Sequence, residues 1–201
     1  MKHLVYIILF LFTSYVVHGK TITIGKKQQY ISITEAIKNS SDGDTLEVLK
    51  GIYKEGNLVV NKSLTLIGKD YPVLDGQKKY EVLSVKANYV TIDGFLVQHS
   101  GVATLDDPGG IKVYNSHHVV IQNNILEDNF FGIYIQYGKY CTIKNNKIKA
   151  YGIEEQQIGN GIHCWKCDSL LIIGNTITGH RDGIYFEFVT GSTIWRNISN
   201  A

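Results

Sequence analysis

The sequence predicts an all-β solenoid, a parallel β-helix of 22-residue coils with a short capping helix at its N-terminal end, and three observations carry that prediction. A Gly-Ile pair followed by an apolar or aromatic residue recurs at Gly110, Gly132, Gly161 and Gly183, in steps of 22, 29 and 22 residues. A β-branched run leading into Asn recurs around Ile121, Ile143, Ile172 and Ile194, in the same steps. The distance from each Gly to the next of these Ile residues is always eleven. Short β-branched runs at a fixed period, broken by Gly and Asn, suit coils whose strands stack on the coil below at about 4.8 Å. A single coil cannot bury its own inner face, so the repeats must share one core.

Taken in chain order, residues 1–19 read as a secretory signal peptide: Lys2, then an apolar run from Leu4 to Phe12 too short to span a bilayer, with cleavage expected after Gly19. Residues 20–201 read as the solenoid domain. Ser32 to Glu35, "SITE", has the pattern of a capping box, and "AIKNS" follows it with about two turns of helix, placed to cover the open edge of the first coil. "DTLEVLKGIY" and "NKSLTLIG" supply the first strands. In the later coils the segment from Ile143 to Gly161 is eighteen residues rather than eleven, as is that from Ile92 to Gly110, so seven-residue insertions enter at one corner, two coils apart. The chain stops partway round a coil, which reads as the N-terminal piece of a longer helix.

Alternation along each strand sorts the side chains once the Ile after each Gly is taken as inward. Lys112, Tyr134, His163 and Tyr185 then form one outward column, and Tyr114, Gln136, Trp165 and Glu187 a second. Between them Val113, Ile135, Cys164 and Phe186 point inward, so Cys164 reads as a core residue rather than a ligand; Cys141, aligned with Val119 and Leu170, reads the same way. Asn124, Asn146, Asn175 and Asn197 read as an inward amide ladder at a turn. The expected binding surface is Tyr134, His163, Trp165, Arg181, Asp182, Tyr185 and Glu187, beside the corner that carries "HRDG" from His180 to Gly183. Asp182 aligns with Asn160, which places His180 and Arg181 near the inserted acids Glu154 and Glu155. His117 and His118 fall at another turn and read as exposed.

Twenty Lys and Arg against eighteen Asp and Glu give a formal charge of +2, with no basic stripe, which excludes a nucleic-acid-binding protein; after the leader no segment is apolar enough to insert in a membrane. Three Cys, an odd number, define no closed disulfide framework. "GNGIHCW", "GHRDGIYFEFV", "SLTLIGKDYPVLDG" and the "IQNN…GIYI" coils together resemble the NosD family, over everything from about Ile33 onward. The resemblance implies a right-handed β-helix, a periplasmic location, and a non-catalytic part in maturing nitrous-oxide reductase. It implies as partners a membrane ABC transporter, made of an ATPase and a permease, together with the reductase or another copper chaperone. It implies copper, transiently held, as what the protein handles. The matching positions are Gly159, Asn160, Gly161, Ile162, His163 and Trp165, then Gly179 to Phe188.

Cu(I) favours thioether, thiolate and imidazole ligands. Met1 is the single Met and leaves with the leader, so the expected metal ligands are mainly His163 and His180, with Cys167, at a strand end beside Gly138 and Val189, as a further candidate ligand or disulfide partner, and no catalytic residues are assigned. Two other readings stand beside this one. A β-helix lyase, hydrolase or epimerase acting on acidic glycans would stack sugar rings on Tyr134, His163, Trp165 and Tyr185 and use His180, Arg181 and Asp182 for acid/base work. A structural adaptor would bind partners alone.

Overall fold

The computed structural model describes residues 19–102, 107–152 and 158–200. The leader up to His18 and the inserted Asp106, Glu154 and Glu155 lie outside the described residues. The architecture is the predicted right-handed parallel β-helix, and every strand pairing in its three sheets is parallel. Sheet A runs β1 (Thr21–Ile24), β2 (Thr45–Val48), β5 (Thr65–Gly68), β8 (Thr91–Asp93), β11 (Val120–Gln122), β14 (Thr142–Lys144), β17 (Leu171–Ile173) and β20 (Thr193–Trp195). Sheet B runs β3 (Ile52–Tyr53), β6 (Val73–Asp75), β9 (Leu96–Gln98), β12 (Ile125–Glu127), β15 (Lys147–Lys149), β18 (Thr176–Thr178) and β21 (Ile198–Asn200). Sheet C runs β4 (Leu58–Val60), β7 (Leu83–Val85), β10 (Gly109–Tyr114), β13 (Phe131–Gln136), β16 (Ile162–Trp165) and β19 (Ile184–Glu187). One coil is therefore three strands, and the repeated β-branched-to-Asn element is two of them, split by a corner.

The ladder Asn occupies that corner. Asn146 Oδ1 accepts from the amide and the Nδ2 of Asn124, at 3.0 and 3.1 Å, and Asn146 Nδ2 donates up the stack to Asn175 Oδ1 at 2.9 Å and sideways to Ile121 O at 3.0 Å. Asn175 and Asn197 repeat the contact. The residue before each rung has a left-handed backbone, at Asn123, Asn145, Gly174 and Arg196, which is why Asn and Gly gather there.

The Gly of each Gly-Ile pair answers to space. A Cβ on Gly161 would meet Ile177 Cγ2 at 2.4 Å and Gly183 O at 2.8 Å, and Gly132 is as tightly placed against Ile148 and Gly161. Without a side chain there, sheet C can start hard against sheet B. The Ile that follows is inward: Ile111, Ile133 and Ile162 join Ile121, Ile143 and Ile172 in one continuous core with at most 1 % exposure.

At the N-terminal end, α1 (Ile33–Asn39) buries Ile33, Ala36 and Ile37 in that core. Ser32 caps it as predicted, accepting from the Glu35 amide at 3.2 Å. The carboxylate that completes the cap comes from the next turn of chain: Glu55 accepts from the Ile33 and Thr34 amides at 2.8 and 2.9 Å and from Ser32 Oγ at 2.6 Å. Those three donors hold its carboxyl below the usual range against the burial that would raise it. Lys62 Nζ closes the other end on the carbonyls of Ile37, Lys38 and Ser40.

Candidate functional site

Parallel pairing puts the predicted columns in register on sheet C: Lys112 beside Tyr134, Tyr134 beside His163, His163 beside Tyr185, and likewise Tyr114, Gln136, Trp165 and Glu187. The two insertions both lie between sheets B and C, at the edge of this face. The face divides into an upper aromatic and histidine group and a lower cleft.

In the upper group the His163 ring sits 4.5 Å from Tyr134, 5.1 Å from Phe131 and 5.1 Å from Tyr185, centroid to centroid. Asn160, fully buried, links two of the predicted residues. Arg181 Nη2 donates to its Oδ1 at 3.2 Å, which leaves Asn160 Nδ2–H facing His163 Nδ1 at 2.9 Å. Neutral His163 then carries its proton on Nε2, and burial holds its pKa below the ordinary imidazole value. Arg181 Nε also pairs with Asp182 at 3.3 Å, where both are largely solvated. Trp165 packs edge-on against Tyr137 at 4.9 Å, with Lys166 Nζ 4.6 Å from its ring centroid. Tyr185, 40 % exposed, and Phe188, 72 % exposed, complete an open aromatic rim. Tyr134 stands on the predicted column but is only 5 % exposed, beneath Phe131 and Lys112, so it backs the site rather than facing solvent. Burial pushes its hydroxyl up to about 12.

His180 is more enclosed than its corner position suggested, at 7 % exposure. Its Nδ1–H donates to Gly159 O at 3.2 Å, so the Nε2 lone pair is the free one, and that buried nitrogen has no hydrogen-bond partner. Burial pulls its pKa down to about 4, which keeps the ring neutral at physiological pH. Its counterpart His163 offers an N–H at Nε2 instead of a lone pair. Among the described residues no cluster of three or more His, Cys, Asp and Glu side chains could hold a metal ion. Cys141, Cys164 and Cys167 are buried free thiols, and burial raises the pKa of each, that of Cys167 to about 11. Cys167 Sγ lies on Ile135 O and Trp165 O, both at 3.3 Å.

The lower cleft is the group that sequence reasoning missed. Glu81 accepts from Tyr114 OH at 2.9 and 3.1 Å and from Ser84 Oγ, with Lys112 Nζ 3.9 Å away. Burial pushes the Glu81 carboxyl up in spite of those contacts. Lys112 donates to Asp107 O at 2.9 Å and lies 5.0 and 4.7 Å from the ring centroids of Tyr114 and Tyr134. These groups border an open cleft of about 640 Å³. His117 and His118, read as exposed turn residues, stack with Tyr89 and Tyr140 at the corner between sheets C and A.

The profile of the family described as "Right handed beta helix region" matches residues 81–201. The chain belongs to that family. Two curated proteins are similar to it. "Probable ABC transporter binding protein NosD" of Pseudomonas aeruginosa is 26 % identical over 145 residues, 71 % of this chain and 34 % of that protein. "Cell surface glycoprotein" of Methanothermus fervidus is 30 % identical over 118 residues, 57 % of this chain and 18 % of that protein. The chain thus spans about a third of the first relative's length and less than a fifth of the second's. Among solved structures, a pectin methylesterase from Aspergillus niger aligns over 90 % of both chains at 11 % identity with a TM-score of 0.38. No helix among the described residues is long and apolar enough to cross a membrane.

Proposed function

We propose that this chain is an exported, non-catalytic accessory protein of the NosD kind. It works in the periplasm beside a membrane ABC transporter of ATPase and permease, and passes copper toward nitrous-oxide reductase or another copper carrier. The upper group of sheet C receives the ion at the His180 Nε2 lone pair, with His163 joining it as a ligand once the ion displaces the imidazole Nε2 proton to solvent, and the aromatic rim of Trp165, Tyr185 and Phe188 meets the protein partner. The observation that carries this reading is His180 Nε2, a lone pair kept neutral and buried with nothing donating to it. A fold gains nothing from such an atom, whereas a soft cation finds in it a ready imidazole ligand. The similarity to the NosD protein over most of the chain supports the same assignment. Glycan turnover on this strip is less favoured, because Tyr134 is buried and Arg181 is already shared between Asn160 and Asp182.

The test is an anaerobic Cu(I) titration of the mature chain against a competing chelator. Affinity should fall about tenfold or more in His180→Gln, and less in His163→Ala, as expected for loss of one ligand. Failure of the intact chain to take Cu(I) from the chelator would remove copper from the proposal and leave a partner-binding adaptor.

A further inference from the structure

We propose that His117 and His118 form a two-histidine chelate for a divalent transition-metal ion at the corner between sheets C and A. Their Nδ1 atoms face each other at 2.9 Å. Imidazole nitrogen bonds such an ion at about 2.0–2.1 Å, so two ligands at right angles around it stand about 2.9 Å apart. The pair therefore has the bite of a chelate with square or octahedral angles before any ion arrives. In the free protein the Nδ1–H of one ring donates to the Nδ1 lone pair of the other. When an ion binds, that single proton leaves to solvent and both lone pairs bond the metal. The remaining coordination positions stay open to water or to a side chain from a partner.

The surroundings hold both rings in place. The His117 amide donates to Asn88 Oδ1 at 2.9 Å and its carbonyl accepts from the Tyr89 amide at 3.0 Å, while the His118 amide donates to Lys139 O at 3.0 Å. Tyr89 stacks on His118 at 5.0 Å and meets His117 edge-on at 5.1 Å, and Tyr140 lies 5.1 Å from His118, centroid to centroid. His118 has a left-handed backbone, and so do Tyr89, Tyr140 and Ser169 at the same place in neighbouring coils. Lys139-Tyr140 and Asp168-Ser169 make this turn without any imidazole, so the solenoid does not ask for two histidines here. Lys139, which stacks on His117, is followed in its column by Asp168, whose charge offsets it. His118 is exposed and His117 half-buried, which leaves the pair open to an ion from solvent. None of these residues belongs to the upper group of sheet C, so the inference is independent of copper there.

Calorimetric titration of the mature chain with Ni²⁺ at neutral pH tests it, with His118→Asn and His99→Asn in parallel. Both histidines have left-handed backbones, a conformation Asn tolerates well, so each variant keeps its turn. A saturable Ni²⁺ site should appear whose affinity falls about tenfold or more in His118→Asn and is unchanged in His99→Asn. Ni²⁺ in an octahedral site is paramagnetic, so amide NMR signals of His117 and His118 should broaden as that site fills, and should stay sharp in His118→Asn at the same Ni²⁺ concentration. Absence of saturable Ni²⁺ uptake, uptake that persists undiminished in His118→Asn, or broadening that spares these two residues would overturn the proposal.

Discussion

Two stacks of polar side chains run along this solenoid, and they are built to opposite standards. At the corner between sheets A and B, Asn124, Asn146, Asn175 and Asn197 repeat one contact coil after coil, and the buried amides find partners on both sides. On sheet C and at the corner that leads into it from sheet B, the polar groups change identity at every coil, yet several are nearly as enclosed as the ladder and less well served. His180 Nε2 is unpartnered, Glu81 has its pKa raised by burial, and Lys112 is buried between two tyrosines. Repetition with full satisfaction marks what the fold needs. Burial of dissimilar, imperfectly served groups marks what is kept for binding.

The largest break in this contrast should come from the ladder. Asn146→Ala strips the side-chain partner from the Asn124 amide and from Ile121 O and removes one of the two donors on Asn175 Oδ1, and should lower stability by about 3 kcal/mol in urea denaturation. A loss below about 1 kcal/mol would mean the rungs are replaceable and the contrast is false.

Next is the acid response of His180. Its folded pKa of about 4 lies below the ordinary 6.5, so between those values the unfolded chain binds a proton that the folded chain refuses. The stability it contributes is complete above about pH 6.5 and should fall by about 2 to 3 kcal/mol as pH drops toward 4. His163 shifts in the same direction and adds to the fall. Asp44, Glu55 and Asp75, held below their usual range, give way only at lower pH. Denaturation curves across this window should lose most of their slope in His180→Phe.

A smaller effect separates the cleft from the ladder. Lys112→Met removes the cation beside a buried carboxyl and should cost about 2 kcal/mol, and Glu81→Gln on top of it should return most of that. Equal costs that simply add would show that the two groups do not form a unit. Smallest of all, Tyr185→Ala and Phe188→Ala at the rim should each change stability by less than about 0.5 kcal/mol while weakening partner capture.

The coil period, the inward Ile columns, the Asn ladder and the outward order of Lys112, Tyr134, His163 and Tyr185 were legible because a parallel stack at constant register repeats in sequence what it repeats in space. The reading stopped where the register does. From Thr45 to Thr65, Thr91 and Val120 the steps are 20, 26 and 29 residues, so no fixed ruler brought Ser84 into line with Lys112 or set Glu81 against Tyr114. The Glu55 cap was hidden for the same reason, since only the first coil's path carries it back to Ser32. Burial on an outward face was hidden differently: alternation says which way Tyr134 points, but what covers it depends on Phe131 and on Lys112 folding over its ring. His180, placed by sequence at a solvated corner, is enclosed through its bond to Gly159, 21 residues earlier.

The claim beneath all of this is that side chains on the outer face of sheet C and at the corner that leads into it are held for binding at some expense to the fold, and urea denaturation of His180→Phe at neutral pH tests it most directly. An apolar ring of similar shape removes the orphan nitrogen and gives up one hydrogen bond to Gly159. Stability within about 1 kcal/mol of the parent, or above it, is the predicted result. A loss greater than about 2 kcal/mol would show that the imidazole serves the fold, and would contradict the account.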